Sequence, residues 1–170
     1  MAKQGTNRVV DRILTTLNAA SGFLAAELDV QDADYGDGIA LADIPDRDMH
    51  YGDANELPPP QNLPALYVIP RGYAASEYLF SVKDVRHTMD VQVFVAHTDA
   101  PGLQKRLWRY ARAVEKVIED RVLTGGDVHD VQVTSVQYSP LAPWRDTGLL
   151  IQGVGVTLEL MERVDRPHTV

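Results

Sequence analysis

Residue types that could bind metals or attack substrates are present, but their spacings do not assemble them. His50, His87, His97, His129 and His168 never fall as His-x-His or His-x-x-x-His, the patterns that aim two imidazoles at one ion. The chain has no cysteine, which removes thiolate metal sites, iron–sulfur clusters, cysteine nucleophiles and disulfides together. Asp32-Ala-Asp34-Tyr-Gly36-Asp37-Gly38 has the texture of a calcium loop. Such a loop needs a ligand at its fifth position, glycine at the sixth and a bidentate glutamate at the twelfth. Gly36, Asp37 and Asp43 stand there instead, so the pattern fails.

Ser76 lies in Ala-Ala-Ser-Glu, not in a Gly-x-Ser-x-Gly elbow. Gly153-Val-Gly155 begins like a dinucleotide fingerprint, but Leu158 occupies the place of its third glycine. Within a strand, those glycines are expected to let another backbone approach or to mark a bend. Carboxylates are plentiful, yet they crowd into an extended segment that cannot hold a pair at working distance. The expectation is a protein with no catalytic residue, no metal and no cofactor, hence not an enzyme.

Charge is distributed unevenly. The net charge is −8. Asp29, Asp32, Asp34, Asp37, Asp43, Asp46, Asp48, Asp53 and Glu56 face a single base, Arg47, within 29–64, so this segment holds all of the excess. The acidity of the whole sequence argues against a general nucleic-acid binder, which carries a basic surplus. Lys105, Arg109, Arg112 and Lys116 recur at helical steps and share one helix face, with Glu115 and Glu119 on neighbouring faces. That stripe is either a solvated face, a surface for an acidic neighbour or, less well supported, a DNA contact. Together with Asp32, Asp34, Asp37, Asp43, Asp46, Asp48, Asp53 and Glu56 it forms the expected subunit or partner interface.

The elements that must position these residues follow from periodicity. At 170 residues, with 45% apolar and 24% charged side chains, the chain is sized and composed for one globular domain over 1–170. No apolar run reaches the roughly 20 residues of a membrane span, and Met1–Arg8 lacks the apolar core of a secretory signal. A soluble protein made in a reducing cytoplasm is expected. Val10, Ile13, Leu14, Leu17, Ala20, Leu24 and Leu28 make one helical stripe over 7–28, with Thr6 or Asn7 as cap. Residues 29–64 contain Pro58-Pro59-Pro60 and no helical period, which predicts an extended acidic arm, ordered only against partners.

Strands are expected at 65–69, 77–83 and 87–96, with a turn at Asp84-Val85-Arg86. Met89, Val91, Val93 and Val95 should share one face. A second helix over 100–123 is capped by Thr98 or Asp99 and ended by Gly125-Gly126. Val131, Val133 and Ser135 should share a face of the next strand, and Val154, Val156, Leu158 and Leu160 a face of the last. The fold class is α+β: a mainly antiparallel sheet of four to five strands covered by two helices, with the first helix over 7–28, the long acidic arm over 29–64, and the sheet with the second helix over 65–164.

This order resembles the tail terminator and neck, or head–tail joining, proteins of tailed bacteriophages. The residues that carry the resemblance are the helix Val9–Leu28, the extended Leu-Pro-Ala-Leu-Tyr-Val-Ile-Pro, and a hairpin ending His-Thr-Met-Asp-Val-Gln-Val-Phe-Val. The helix Leu103–Leu123 and a terminal pair ending Gly-Val-Thr-Leu-Glu-Leu complete it. The resemblance spans 7–28 and 64–164 and brings no catalytic residues. It implies a virion protein whose copies form a ring, usually a hexamer, that caps the tail tube and stops its polymerisation. Its partners would be itself, the tail tube protein, the head-side connector or stopper and, in contractile tails, the last sheath ring. DNA would only pass through the lumen, and no membrane is involved. A stopper or head-completion protein is the alternative joint; a small ligand-binding or hydrolytic α+β domain is the alternative outside this class. The acidic arm departs from short family members and is expected to grip a neck or sheath partner.

Overall fold

The computed structural model describes residues 3–18, 23–76, 82–121 and 128–165. Three helices, α1 (Lys3–Leu17), α2 (Leu24–Tyr35) and α3 (Ala100–Arg121), pack over a mixed sheet. Its strands are β1 (Met49–Tyr51), β2 (Ala65–Ala75), β3 (Val82–His97), β4 (Val128–Tyr138), β5 (Ala142–Trp144) and β6 (Leu149–Asp165), in the spatial order β1-β2-β3-β6-β4. β5 extends the β4 side of the sheet by pairing with Leu149–Ile151. Among the described residues only β1 and β2 run parallel; the other pairings are antiparallel. The α+β class holds, with six strands and three helices in place of four to five and two. The extra strands, β1 and β5, have three residues each, too few for alternation to show.

The core lies between the sheet and the helices. Met89, Val91, Val93 and Val95 of β3 and Val154, Val156, Leu158 and Leu160 of β6 meet Leu103, Leu107, Tyr110, Val114 and Ile118 of α3. Val9, Val10, Ile13 and Leu17 of α1 and Leu24 and Leu28 of α2 complete it. Each such side chain contributes about 1.5–3 kcal/mol when fully buried. Asp99 caps α3: its Oδ1 accepts from the Gly102 N–H at 2.8 Å, and this bond holds the carboxyl below its ordinary pKa.

Four expectations are corrected. The single helix over 7–28 is two helices, with the first beginning at Lys3, so Thr6 and Asn7 lie inside it. The chain leaves the helix at Asn18, and the Phe23 N–H reaches back to the Thr16 carbonyl at 2.9 Å. Asp84-Val85-Arg86 is no turn but mid-strand, paired to Arg163, Glu162 and Met161; Arg163 Nε lies 3.4 Å from the Asp84 carboxylate and gives that charge a cross-strand partner. Ser135 leaves the valine face, because a bulge between Val133 and Ser135 puts Ser135 opposite Thr157 and Val136 opposite Val156. Gly153 makes room for a side chain rather than a backbone, since a Cβ there would lie 2.7 Å from the Phe94 ring. Residues 77–81 of the expected strand and Gly125-Gly126 lie outside the described residues.

The acidic segment is also corrected. Its first part is α2, and the rest wraps the sheet edge. Residues 36–45 cross α3 on the helix side, where Ile44 is buried. β1 then lines the outer edge of β2 at Leu66–Val68. Leu57 and Leu63 pack against Ala65, Tyr67 and Ile69, whose side chains alternate with the core residues Leu66 and Val68 and so occupy the helix-free face. Tyr67 OH donates to the Pro58 carbonyl at 3.0 Å.

Candidate assembly surface

The first part of the segment is fastened to α3 through Arg109. Gly36 ends α2 in the left-handed conformation (φ 57°), and its N–H bonds Asp32 O. The chain then turns Asp37 onto Arg109, which is 2% exposed. Arg109 Nη2 donates to Asp37 Oδ2 at 2.5 Å and Nη1 to the Ile39 carbonyl at 3.2 Å. The Asp32 carboxylate lies 3.6 Å from the same guanidinium and accepts from the Leu41 N–H at 2.7 Å. The Tyr35 ring lies against it at 4.2 Å. The Arg109 hydrogen bond holds Asp37 below the ordinary carboxylate pKa. At the next residue, Tyr110 OH donates to the Ala42 carbonyl, and burial raises that phenol.

The expected basic stripe is therefore divided. Arg109 points inward; Lys105 and Arg112 are exposed and Lys116 is partly exposed. Arg112 pairs with Glu115 at 2.8 Å, which raises its pKa, and Lys116 pairs with Glu27 at 3.2 Å. Arg112 and Lys116 join Gln31, Asp34, Tyr35 and Trp108 around a shallow groove between α2 and α3. The acids separate likewise. Asp48 is buried and accepts from Asn62 Nδ2 at 3.0 Å, while Asp53 caps a turn through the Asn55 N–H at 2.9 Å. Asp29, Asp34, Asp43, Asp46 and Glu56 lie on the surface. Among the described residues no group of three or more His, Asp or Glu side chains could hold a metal ion.

Two polar constellations lay outside the expected set. His87 Nε2 and Glu162 Oε2 meet at 2.8 Å with both side chains buried, and Arg8 approaches Glu162 at 3.6 Å. Alternation reaches both positions: His87 is in phase with Met89 and Val91, and Glu162 with Leu160 and Leu158. On the helix-free face, Arg71 binds Asp90 at 2.6 Å through Nε, and Thr157 Oγ1 donates to Asp90 at 2.8 Å. Each carboxylate is consumed by a cation or hydroxyl of its own chain.

The β4 side of the sheet is open. Among the described residues β4 pairs with β6 alone. Beyond its bulge, Val136 and Tyr138 sit opposite Val156 and Val154, on the side the helices cover, yet both remain about two-fifths exposed. Leu141, exposed, follows them.

No family model and no curated protein matches the chain. Among solved structures it is similar to a chain of the "Virion of native gene transfer agent (GTA) particle", at 11% identity and TM-score 0.48, covering 83% of this chain and 92% of that one.

Proposed function

We propose that this chain is a structural virion protein, a tail terminator whose copies form a ring, capping the tail tube and joining it to the head-side neck. The observation that carries the proposal is the open β4 side: a strand edge with no outer neighbour among the described residues, beside apolar side chains that stay about two-fifths exposed. Unpaired N–H and C=O groups and exposed apolar strips are what assembly satisfies. The element order that resembles terminator and neck proteins adds to it. The role is mechanical and uses no catalytic residue.

Purified chain, added to purified tail tubes of its own particle, tests this. Rings on tube ends in electron micrographs, and tubes that no longer elongate when tube protein is added, are the expected result. A chain that binds no tube end, and stays monomeric both there and alone, overturns it.

A further inference from the structure

Two edges of the sheet are open, on opposite sides. β4 has no strand outside it among the described residues. β2 is covered by β1 only over Leu66–Val68, so its outer edge from Arg71 to Ala75 has no neighbouring strand among them either. Both stretches carry apolar side chains in water, Val136 and Tyr138 on one and Tyr73 on the other. Register places all of them on the helix side of the sheet. Val136 and Tyr138 are opposite Val156 and Val154. Tyr73 is opposite His87, itself opposite Leu160, and Ala75 is opposite Val85.

Strand directions also agree. β2, β3, β6 and β4 alternate, so β4 runs opposite to β2. A second copy brought up in the same orientation, helices on the same side, presents its β2 antiparallel to β4. We infer that β4 residues Ser135–Tyr138 of one copy pair with β2 residues Tyr73–Ala75 of the next, head to tail, so that one sheet continues across subunits. This rests on the ring proposed above and names its interface. Pairing β4 with a second β4 would join two copies and leave both β2 edges open; joining unlike edges repeats and can close a ring.

The geometry of closure is compatible. Setting Ala75 opposite Val136 staggers the copies, because Val136 lies level with Val91 of β3 and Ala75 with Val85, six residues along that strand. At about 3.4 Å per residue the stagger is about 20 Å, against about 19 Å across four strands spaced about 4.8 Å apart. That corresponds to a strand tilt of about 45°, at the upper end of the range for closed sheets.

The absence of native cysteine makes cross-linking unambiguous. The full-length double variant Ala75→Cys/Val136→Cys, assembled alone or on tail tubes and then oxidised, is expected to give a covalent ladder of multimers that reduction collapses. Neither single variant should give more than background. A second pair, Tyr73→Cys/Val136→Cys, covers a shifted register. Val136→Lys should weaken association at least tenfold by light scattering while leaving the circular dichroism and Tm of the subunit unchanged. Dimers from Val136→Cys alone would show β4 meeting β4 and overturn the inference. Wild-type rings that neither double variant cross-links would overturn the edge pairing and leave the ring standing. Absence of any oligomer, alone or on tubes, would remove both.

Discussion

Arg109 shows how one buried charge organises a surface segment. Its guanidinium holds Asp37, Asp32 and the Ile39 carbonyl together. Removing it leaves Asp32 and Asp37 without their cation and the Ile39 carbonyl without its donor. Arg109→Met should therefore lower the urea midpoint of unfolding. Asp37, held below its ordinary pKa by that guanidinium, contributes stability that is present above the ordinary carboxylate range and lost as pH falls through its depressed folded value. The variant should flatten this acid limb, which stability measured from pH 7 to 2 will show. The spacing 105, 109, 112, 116 made the shared helix face legible. It could not tell which cation turns inward, because that depends on a strap 70 or more residues away in sequence packing back onto α3. His87 and Glu162 are legible in principle from phase alone, though neither is apolar. Glu162→Ala should cost about 1–3 kcal/mol by leaving the buried His87 ring nitrogen without its partner, and His87→Phe with Glu162→Leu should recover most of it, since an apolar pair replaces a buried hydrogen-bonded one. A double-mutant cycle measures the difference.

At the scale of elements, strong periodicity was readable and interruptions were not. The core faces of β3, α3 and β6 follow directly from their valine and leucine spacing. The break between α1 and α2 is hidden because Leu17 and Leu24 stay in phase across it. The bulge in β4 is set by pairing with β6 and leaves no mark in the alternation of β4 itself. The acidic segment looked like a partner-dependent arm because its packing residues, Ile44, Leu57 and Leu63, are scattered singly among charges. Backbone bonds to side chains hold it instead, so the Leu41 amide, bonded to Asp32 Oδ2, should exchange slowly in the isolated protein; exchange at the free-peptide rate would restore the mobile arm. Gly153 gives a second test at this scale. A methyl there meets the Phe94 ring, so Gly153→Ala should cost about 1–3 kcal/mol through overpacking, and Phe94→Leu in the same chain should relieve part of it. Thermal melts of the three variants decide.

At the scale of the whole molecule, charge and assembly pull in opposite directions. Each copy carries −8, and the segment that holds it wraps the β1 flank. Pairing of that acid with a neighbour's Lys105, Arg109, Arg112 and Lys116 would make assembly fade as salt rises, because each exposed pair contributes only about 0.2–1 kcal/mol and is screened. The structure leaves this mechanism few cations: Arg109 faces Asp32 and Asp37, Arg112 faces Glu115 and Lys116 faces Glu27, all in the same chain. Joining β4 to β2 through backbone bonds and apolar contact uses no net attraction between charges. Copies with eight surplus negative charges repel one another, and the repulsion is screened when the Debye length falls from about 10 Å at 0.1 M to about 3 Å at 1 M salt. Self-association should then strengthen with sodium chloride, seen as a lower midpoint concentration in sedimentation at 0.5 M than at 0.05 M. If it weakens instead, charge pairs between copies dominate, and Arg112→Glu with Lys116→Glu should abolish assembly while Val136→Lys leaves it intact.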